Sequence, residues 1–521
     1  MKLPDICKNL VAGAALACSF VSFAATAAAS TAIEPAQARL VVETEAAGPR
    51  IDPDVHGQFA EQLGAGIYGG LWVGPESTIP NTRGWRNDVV QALRRLEVPV
   101  VRWPGGCFAD DYDWRDGIGD PAQRPVRLNR WWGGVPESNR VGTHEFMDLA
   151  EQIGAEVVIA GNMGSMPPRA MSQWLEYMTA TGPSALTDER RRNGRDKPWK
   201  VKYVGVGNES WGCGGNMRPE YQADLHNRYA TFLSGGVQRV ASGDGQGNEH
   251  LIDVLMARSI DQMDALTLHY YTIPGDWQKK GSATGFDVRE WAHTLKVARG
   301  IEGRIVAIEA IMDKHDPKRR VGLFIDEWGT WYDTEPGTNP GFLYQQNTLR
   351  DALVAALTLD VFQRHTERVR MTSIAQMVNV LQSMVLADGP RMLLTPTYHV
   401  FDMYKPFKGA TPLKARLDTT RWRGGDDELP AVEASVARGA DGRTHLALVN
   451  LDPDRPAHVR TNLKGEFRGR ILTAATMDAH NTFDNPDAIA PAPFVARSDA
   501  EGLTLDLPPM AVLVVSATSR P

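Results

Sequence analysis

The sequence predicts an α/β protein: a (β/α)8 TIM barrel followed by an all-β, jelly-roll-like sandwich. Between Val55 and about Val380, short apolar runs that close on Gly, Asn or an acidic residue alternate with longer amphipathic stretches. There are eight such runs, and eight strand–helix units are what a closed parallel barrel requires. After about Phe401 helical spacing fades, and short alternating runs punctuated by Pro, Gly and Asp take over, as in a sandwich.

The expected barrel strands are Val55–Ala60, Pro99–Trp103, Glu156–Gly161, Tyr203–Gly207, Arg239–Gly243, Ala265–His269, Gly322–Ile325 and Ser373–Asn379, the fifth having the weakest pattern. Helical stretches between them include Asn87–Glu97, Thr143–Ile153, Arg169–Thr179, Pro219–Leu233 and Gln346–Thr366. A doubly wound open sheet is the structural alternative, but no Gly-rich dinucleotide fingerprint or P-loop favours it. Thr187–Lys200, dense in Arg, Asp and Glu, reads as a solvated loop. Sandwich strands are expected at Leu446–Leu451, Ile471–Thr476, Leu503–Leu507 and Ala511–Ser516, and the isolated run Ala38–Glu43 should join them. At 521 residues the chain exceeds one small core. The expected division is 1–29 as a signal peptide, 30–50 as the strand that joins the sandwich, 51–400 as the barrel and 401–521 as the sandwich.

A net charge of −7, with no basic stripe or polybasic tail, argues against nucleic acid and anionic membranes as partners. Lys2 and Lys8 precede an apolar run from Leu10 to Ala25 that closes on Ala25-Thr26-Ala27 and Ala27-Ala28-Ala29. That is an export signal with small-residue cleavage sites, too short and too rich in Ala and Ser to span a membrane. Leu16-Ala17-Cys18 resembles a lipoprotein site only faintly. The expected location is periplasmic or secreted. Cleavage removes Cys7 and Cys18 and leaves Cys107 and Cys213, which form neither a disulfide framework nor a zinc pattern.

Functional groups of such barrels gather at strand C-termini. Here those ends carry Glu61, Arg102, Asn162, Asn208 with Glu209, His269 with Tyr271, Asp326 with Glu327, and Gln376 with Asn379. Polar groups with interleaved aromatics suit a sugar rather than a phosphate. Glu209 and Glu327 each follow an apolar strand and each has a Trp close behind it. Two carboxyl groups are what glycoside hydrolysis needs, one to protonate the leaving oxygen and one to attack or activate water. Physics alone does not order their roles, and either Glu could be an ordinary surface group.

Several motifs resemble the family 51 α-L-arabinofuranosidases among the retaining glycosidases of clan A. They are Phe59-Ala60-Glu61-Gln62-Leu63-Gly64, Arg102-Trp103-Pro104-Gly105-Gly106-Cys107-Phe108, Leu268-His269-Tyr270-Tyr271, Asp326-Glu327-Trp328-Gly329-Thr330-Trp331-Tyr332 and Ile374-Ala375-Gln376-Met377-Val378-Asn379. The resemblance implies that Glu209 is the general acid/base and Glu327 the nucleophile. It further implies that Glu61, Arg102, Asn208, His269, Tyr271 and Gln376 hold the furanose, with Trp331 as a wall and no metal or organic cofactor. The implied partner is an arabinose-containing glycan, and the family's members are often hexamers. Cys107 stands where many members carry an Asn that touches the sugar. Some branches share Cys107 with Trp211-Gly212-Cys213, which implies a bridge between neighbouring rim loops; two buried free thiols are the alternative. The same framework also suits β-xylosides, β-glucans or another furanose. A non-catalytic carbohydrate-binding protein would have no use for a matched acid and nucleophile.

Overall fold

A computed structural model describes residues 34–234 and 236–518. The N-terminal signal predicted for 1–29 lies outside the described residues. Among those described, no helix is long and apolar enough to cross a membrane.

All eight predicted barrel strands form, in chain order, and close on one another: Gly57–Phe59, Val100–Trp103, Glu156–Gly161, Tyr203–Val206, Gln238–Asp244, Ala265–Thr272, Gly322–Thr330 and Val369–Ala375. Each pairs in parallel with its neighbours. Inside, Val100, Val158, Tyr203, Val240, Ala265, Phe324 and Met371 form a closed apolar layer, with Tyr203 edge-on to Phe324 at 5.1 Å. That layer plugs the barrel, so any cavity must open at the other end.

The helices follow from apolar spacing. Asn87–Leu96 buries Val89, Val90, Ala92, Leu93 and Leu96 and stops where Glu97 turns left-handed. Leu349–Arg364 is apolar on nearly every face and is buried accordingly. The Thr348 hydroxyl caps it by accepting from Arg350 N, and the Thr348 N–H donates to Asp351 at 2.7 Å. Phe362 packs on Trp328 of the seventh strand, while Gln363 accepts a hydrogen bond from Ser435 in the sandwich. This helix thus lies between the two layers it joins.

Nine strands make the sandwich region, in the order Ala492–Arg497, Glu466–Leu472, Val512–Ala517, Thr444–Asn450, Val432–Arg438, Thr411–Thr419, Ala36–Ala46, Ala457–Thr461 and Leu503–Leu507. The N-terminal strand alternates buried Ala36, Ala38, Leu40 and Val42 with exposed Gln37 and Arg39. Helix Pro396–Tyr404 leads into this region.

Three expectations need correction: the sandwich strand read at Ile471–Thr476 runs over Glu466–Leu472, and two more lie in the barrel region. The stretch read as a loop at Thr187–Lys200 begins inside a helix, Ala185–Arg192. Ser184 caps that helix, and among its charged residues Arg190 alone is turned inward, donating to the carbonyls of Tyr177 and Ala180. The eighth strand starts earlier than read and ends at Ala375, not Asn379.

At the base of the seventh and eighth strands, fully buried Arg368 donates to Asp316 Oδ2 (2.8 Å), Asp313 Oδ1 (2.6 Å) and Val321 O (2.8 Å). Replacing Arg368 with Met strands Asp316 without its charge partner. The expected loss is about 3–5 kcal/mol of stability, read as a lower urea midpoint by tryptophan fluorescence.

Candidate active site

Eight of the ten residues singled out above line one cavity of about 660 Å3: Glu61, Cys107, Glu209, His269, Tyr271, Glu327, Trp331 and Gln376. It lies at the C-terminal ends of the strands. Arg102 and Asn208 do not line it; they are buried directly behind its wall.

Arg102 organises that wall. Its Nη1 donates to Glu327 Oε1 (2.9 Å), its Nη2 to Asn208 Oδ1 (2.6 Å), and its Nε pairs with Asp326 Oδ2 (3.1 Å). The guanidinium also sits over the Phe59 ring at 4.4 Å. Burial opposes its charge, but Asp326 and Glu327 outweigh that and raise its pKa further. The other oxygen of Glu327, Oε2, accepts from the Tyr271 hydroxyl at 2.8 Å.

His269 stands between the two glutamates. Its Nδ1 is 2.8 Å from Glu209 Oε1 and 3.4 Å from Glu327 Oε2, and its Nε2 is 3.1 Å from Asp326 Oδ1. Burial would strip its proton, but the charges of Glu327 and Asp326 win and lift its pKa well above the usual imidazole value. Asp326 would likewise be raised by burial, yet Arg102 and His269 hold it below the ordinary carboxylate range. Carboxylate oxygens of Glu209 and Glu327 lie within 4.8 Å of each other.

Glu209 has a left-handed backbone, with φ of 42°. For a non-glycine residue this costs about 1–3 kcal/mol and persists only where the surroundings enforce it. Here they do. The preceding Asn208 N–H donates to Asp110 Oδ2 (2.7 Å), and Gly212 and Gly214 N–H return to Glu209 O at 2.7 and 3.1 Å. A Cβ at Gly214 would lie 1.8 Å from Asn208 O, so only glycine permits this turn. Cys107 and Cys213 are paired in a disulfide with a Cα–Cα distance of 5.5 Å, joining the loops after strands two and four.

Glu61 closes the far side. It accepts from Phe108 N (3.1 Å) and Trp132 Nε1 (2.8 Å), and Gln376 Nε2 donates to it at 3.4 Å. Tyr271, Trp331 and Trp277 follow as successive edge-to-face rings, 4.9 and 5.3 Å apart.

Sequence reasoning missed Asp110, which also accepts from Met163 N (2.6 Å) and Gly164 N (2.8 Å) and so ties together the ends of strands three and four. It also missed Trp132 and Trp277. Only the nearness of Asp110 to Cys107 and the Trp131-Trp132 pair offered any signal. Asn379 falls outside the cavity: its side chain bonds Ala65 O and both backbone groups of Ala387, a scaffold task. Trp211 lines the cavity, but its indole donates to Gly243 O (3.1 Å) and lies over Gly245.

Burial, helped by the charge of Glu327, pushes Glu61 from its ordinary 4.5 up to about 7. A carboxyl raised on folding stabilises the protein below its unfolded pKa, and that contribution is lost as pH rises through the folded value. The thermal midpoint of wild type should therefore fall relative to Glu61→Gln between pH 5 and 8. A constant difference across that range would show that Glu61 does not titrate there.

With this geometry in place, the comparisons with known proteins are informative. A family model described as the α-L-arabinofuranosidase 1 domain matches residues 92–284, and one described as the α-L-arabinofuranosidase C-terminal domain matches 326–511. An intracellular exo-α-L-arabinofuranosidase of Bacteroides ovatus is 47% identical over 497 residues, covering 94% of this chain and 95% of that protein. The crystal structure of a GH51 arabinofuranosidase from Xanthomonas axonopodis pv. citri superposes with a TM-score of 0.90 at 51% identity, over 92% of this chain and 99% of that one. The thermostable GH51 α-L-arabinofuranosidase of Thermotoga petrophila gives 0.82 at 26% identity, over 92% and 100%. The chain is a glycoside hydrolase and belongs to the family 51 α-L-arabinofuranosidases.

Proposed function

We propose that the chain is a retaining, exo-acting α-L-arabinofuranosidase with Glu327 as nucleophile and Glu209 as general acid/base. The observation that carries this reading is the spacing of the two carboxylates, whose oxygens lie within 4.8 Å and share His269. Retaining enzymes place their carboxyl groups about 5–5.5 Å apart, whereas inverting ones leave room for a water between them.

Glu327, aligned by Arg102 and Tyr271, attacks the anomeric carbon. The bond to the leaving oxygen breaks as Glu209 delivers its proton to that oxygen, giving a covalent arabinosyl-enzyme. Water then gives a proton to Glu209 and attacks the same carbon, releasing arabinose with retained configuration and restoring both carboxyl groups. Glu61 and Gln376 line the cavity and are available for the sugar hydroxyls, whereas Asn208, given the same task by the family resemblance, lies buried behind the wall. Oxidised Cys107 has no S–H to offer in place of the amide many relatives carry. The natural substrate is an arabinose-containing oligo- or polysaccharide, and the exo mode rests on the name of the B. ovatus relative.

Aryl α-L-arabinofuranoside should be cleaved well ahead of aryl β-D-xylopyranoside, and Glu327→Ala should abolish turnover. Glu209→Ala should lose about 10²–10⁴-fold on a natural arabinoside but spare the first step with a leaving group that needs no proton. Equal losses on both substrates would reverse or void the assignment.

We further read the chain as exported. The support is its first 29 residues and a disulfide, which persists in oxidising compartments; the B. ovatus relative, by contrast, is named intracellular. N-terminal sequencing of periplasmic or secreted protein should begin near Ser30, and sedimentation should find a homo-oligomer, a hexamer by family resemblance. A cytoplasmic chain starting at Met1 would refute export.

A further inference from the structure

We infer that the Cys107–Cys213 disulfide is a positioning element for the proton-carrying oxygen of Glu209; this rests on the acid/base role proposed above. The two oxygens of Glu209 have unlike surroundings. Oε1 faces His269 Nδ1 at 2.8 Å. Oε2 faces the disulfide, 3.5 Å from Cys213 Sγ and 3.9 Å from Cys107 Sγ. A disulfide sulfur has no hydrogen to donate, and the side-chain bonds of the described residues bring no other donor to Oε2. With Oε1 committed to a charged imidazolium, the transferable proton belongs on Oε2.

The bridge also limits where that oxygen can go. Cys213 closes the turn that starts at the left-handed Glu209, and Cys107 follows Gly105 and Gly106, whose backbone is packed on the Glu61 carboxylate. The disulfide therefore fastens the acid's turn to the nearby loop after strand two, with both sulfurs against the oxygen that must meet the leaving group. Two thiols in its place would each carry an S–H able to donate to Oε2, where it would compete with the catalytic proton. Reduction thus changes both the aim of Glu209 and the occupancy of its working oxygen. Both cysteines are only partly buried and Cys107 lines the cavity, so a small reductant can reach the bond.

The test compares oxidised wild type, wild type treated with dithiothreitol, the double variant Cys107→Ala/Cys213→Ala, and Glu209→Ala. Dithiothreitol supplies the two electrons and two protons that convert the disulfide to two thiols and is itself oxidised to its cyclic disulfide. Each form is assayed on 2,4-dinitrophenyl α-L-arabinofuranoside, which needs no proton to depart, and on an alkyl arabinofuranoside, which does. Thiol counting and circular dichroism establish the redox state and the fold. The expected result is that reduction and the double variant each lower kcat/KM on the alkyl substrate by about 10–100-fold, part of the range for general acid catalysis. On the dinitrophenyl substrate kcat/KM should change by less than about threefold. Equal losses on both substrates would assign the bridge to fold maintenance alone, and no loss on either would remove it from the site's function; both overturn the inference. Should the double variant not fold, reduced wild type decides by the same two assays. Glu209→Ala separates the two levels of argument: if it lacks the leaving-group dependence, the acid/base reading itself has failed.

Discussion

Everything at this site is referred to the guanidinium of Arg102. It is buried behind the cavity, and its donors reach Glu327, Asp326 and Asn208, so one planar cation sets the ends of strands two, four and seven against each other. A lysine would place the same charge but only as a point, without the fixed fork that spans three partners. Desolvating such a cation is costly, and the cost is recovered only because two carboxylates and an amide oxygen satisfy it. Those partners are held in turn. Asn208 is fixed through its N–H to Asp110, and Asp326 is fixed by His269 on its other oxygen.

Charge balance explains the rest of the arrangement. Three carboxyl groups, Glu209, Asp326 and Glu327, converge on two cations, Arg102 and His269, while a fourth, Glu61, is held nearby by neutral donors. His269 keeps its proton because the carboxylates demand it, and Glu61 holds its own up to about 7 because Glu327 and burial leave little room for another anion. The charges thus nearly balance, and the ionised Glu327 carboxylate, which lines the cavity, is the group that favours a substrate that becomes positive. The oxocarbenium-like transition state of glycoside cleavage is such a species, and fixed dipoles and charges stabilise it without reorganising. A neutral sugar gains much less from the same field, and that difference is what accelerates the reaction.

The parts of this picture legible in the sequence are those where local pattern and tertiary role coincide. Each barrel strand is an apolar run because both its faces are buried, and it ends in a polar residue because the chain there enters the cavity; Glu61, His269 and Glu327 could be placed on that basis alone. Asp110 could not be found this way. It lies on a short 3-10 turn inside a loop, and its importance comes from three backbone N–H groups that are far from it in sequence. Trp132 is similar: it reaches Glu61 from the turn of a two-stranded hairpin, Arg127–Asn129 with Val135–Glu137, whose position no periodicity announces. Asn379 misled because a polar residue after an apolar run can equally serve the scaffold. Helix Ala185–Arg192 was concealed by its charges, most of which do face water, while Arg190 alone turns inward onto backbone carbonyls.

The order of assembly is constrained by the N-terminal strand. Ala36–Ala46 sits between Thr411–Thr419, to which it is antiparallel, and Ala457–Thr461, to which it is parallel. Without it, Ala457–Thr461 and Leu503–Leu507 are cut off from the remaining six strands, since the ladder order passes through it. The first described strand can therefore complete its pairing only after more than four hundred further residues have been made, an expensive closure of the kind that slows folding. The barrel lies between these two ends, and the helix Leu349–Arg364, buried up to Gln363, touches both it and the sandwich. Loosening the sandwich exposes that helix, and with it Trp328, the residue next to Glu327. The sandwich thus supports the catalytic carboxylate through one buried helix, although none of its residues reaches the cavity.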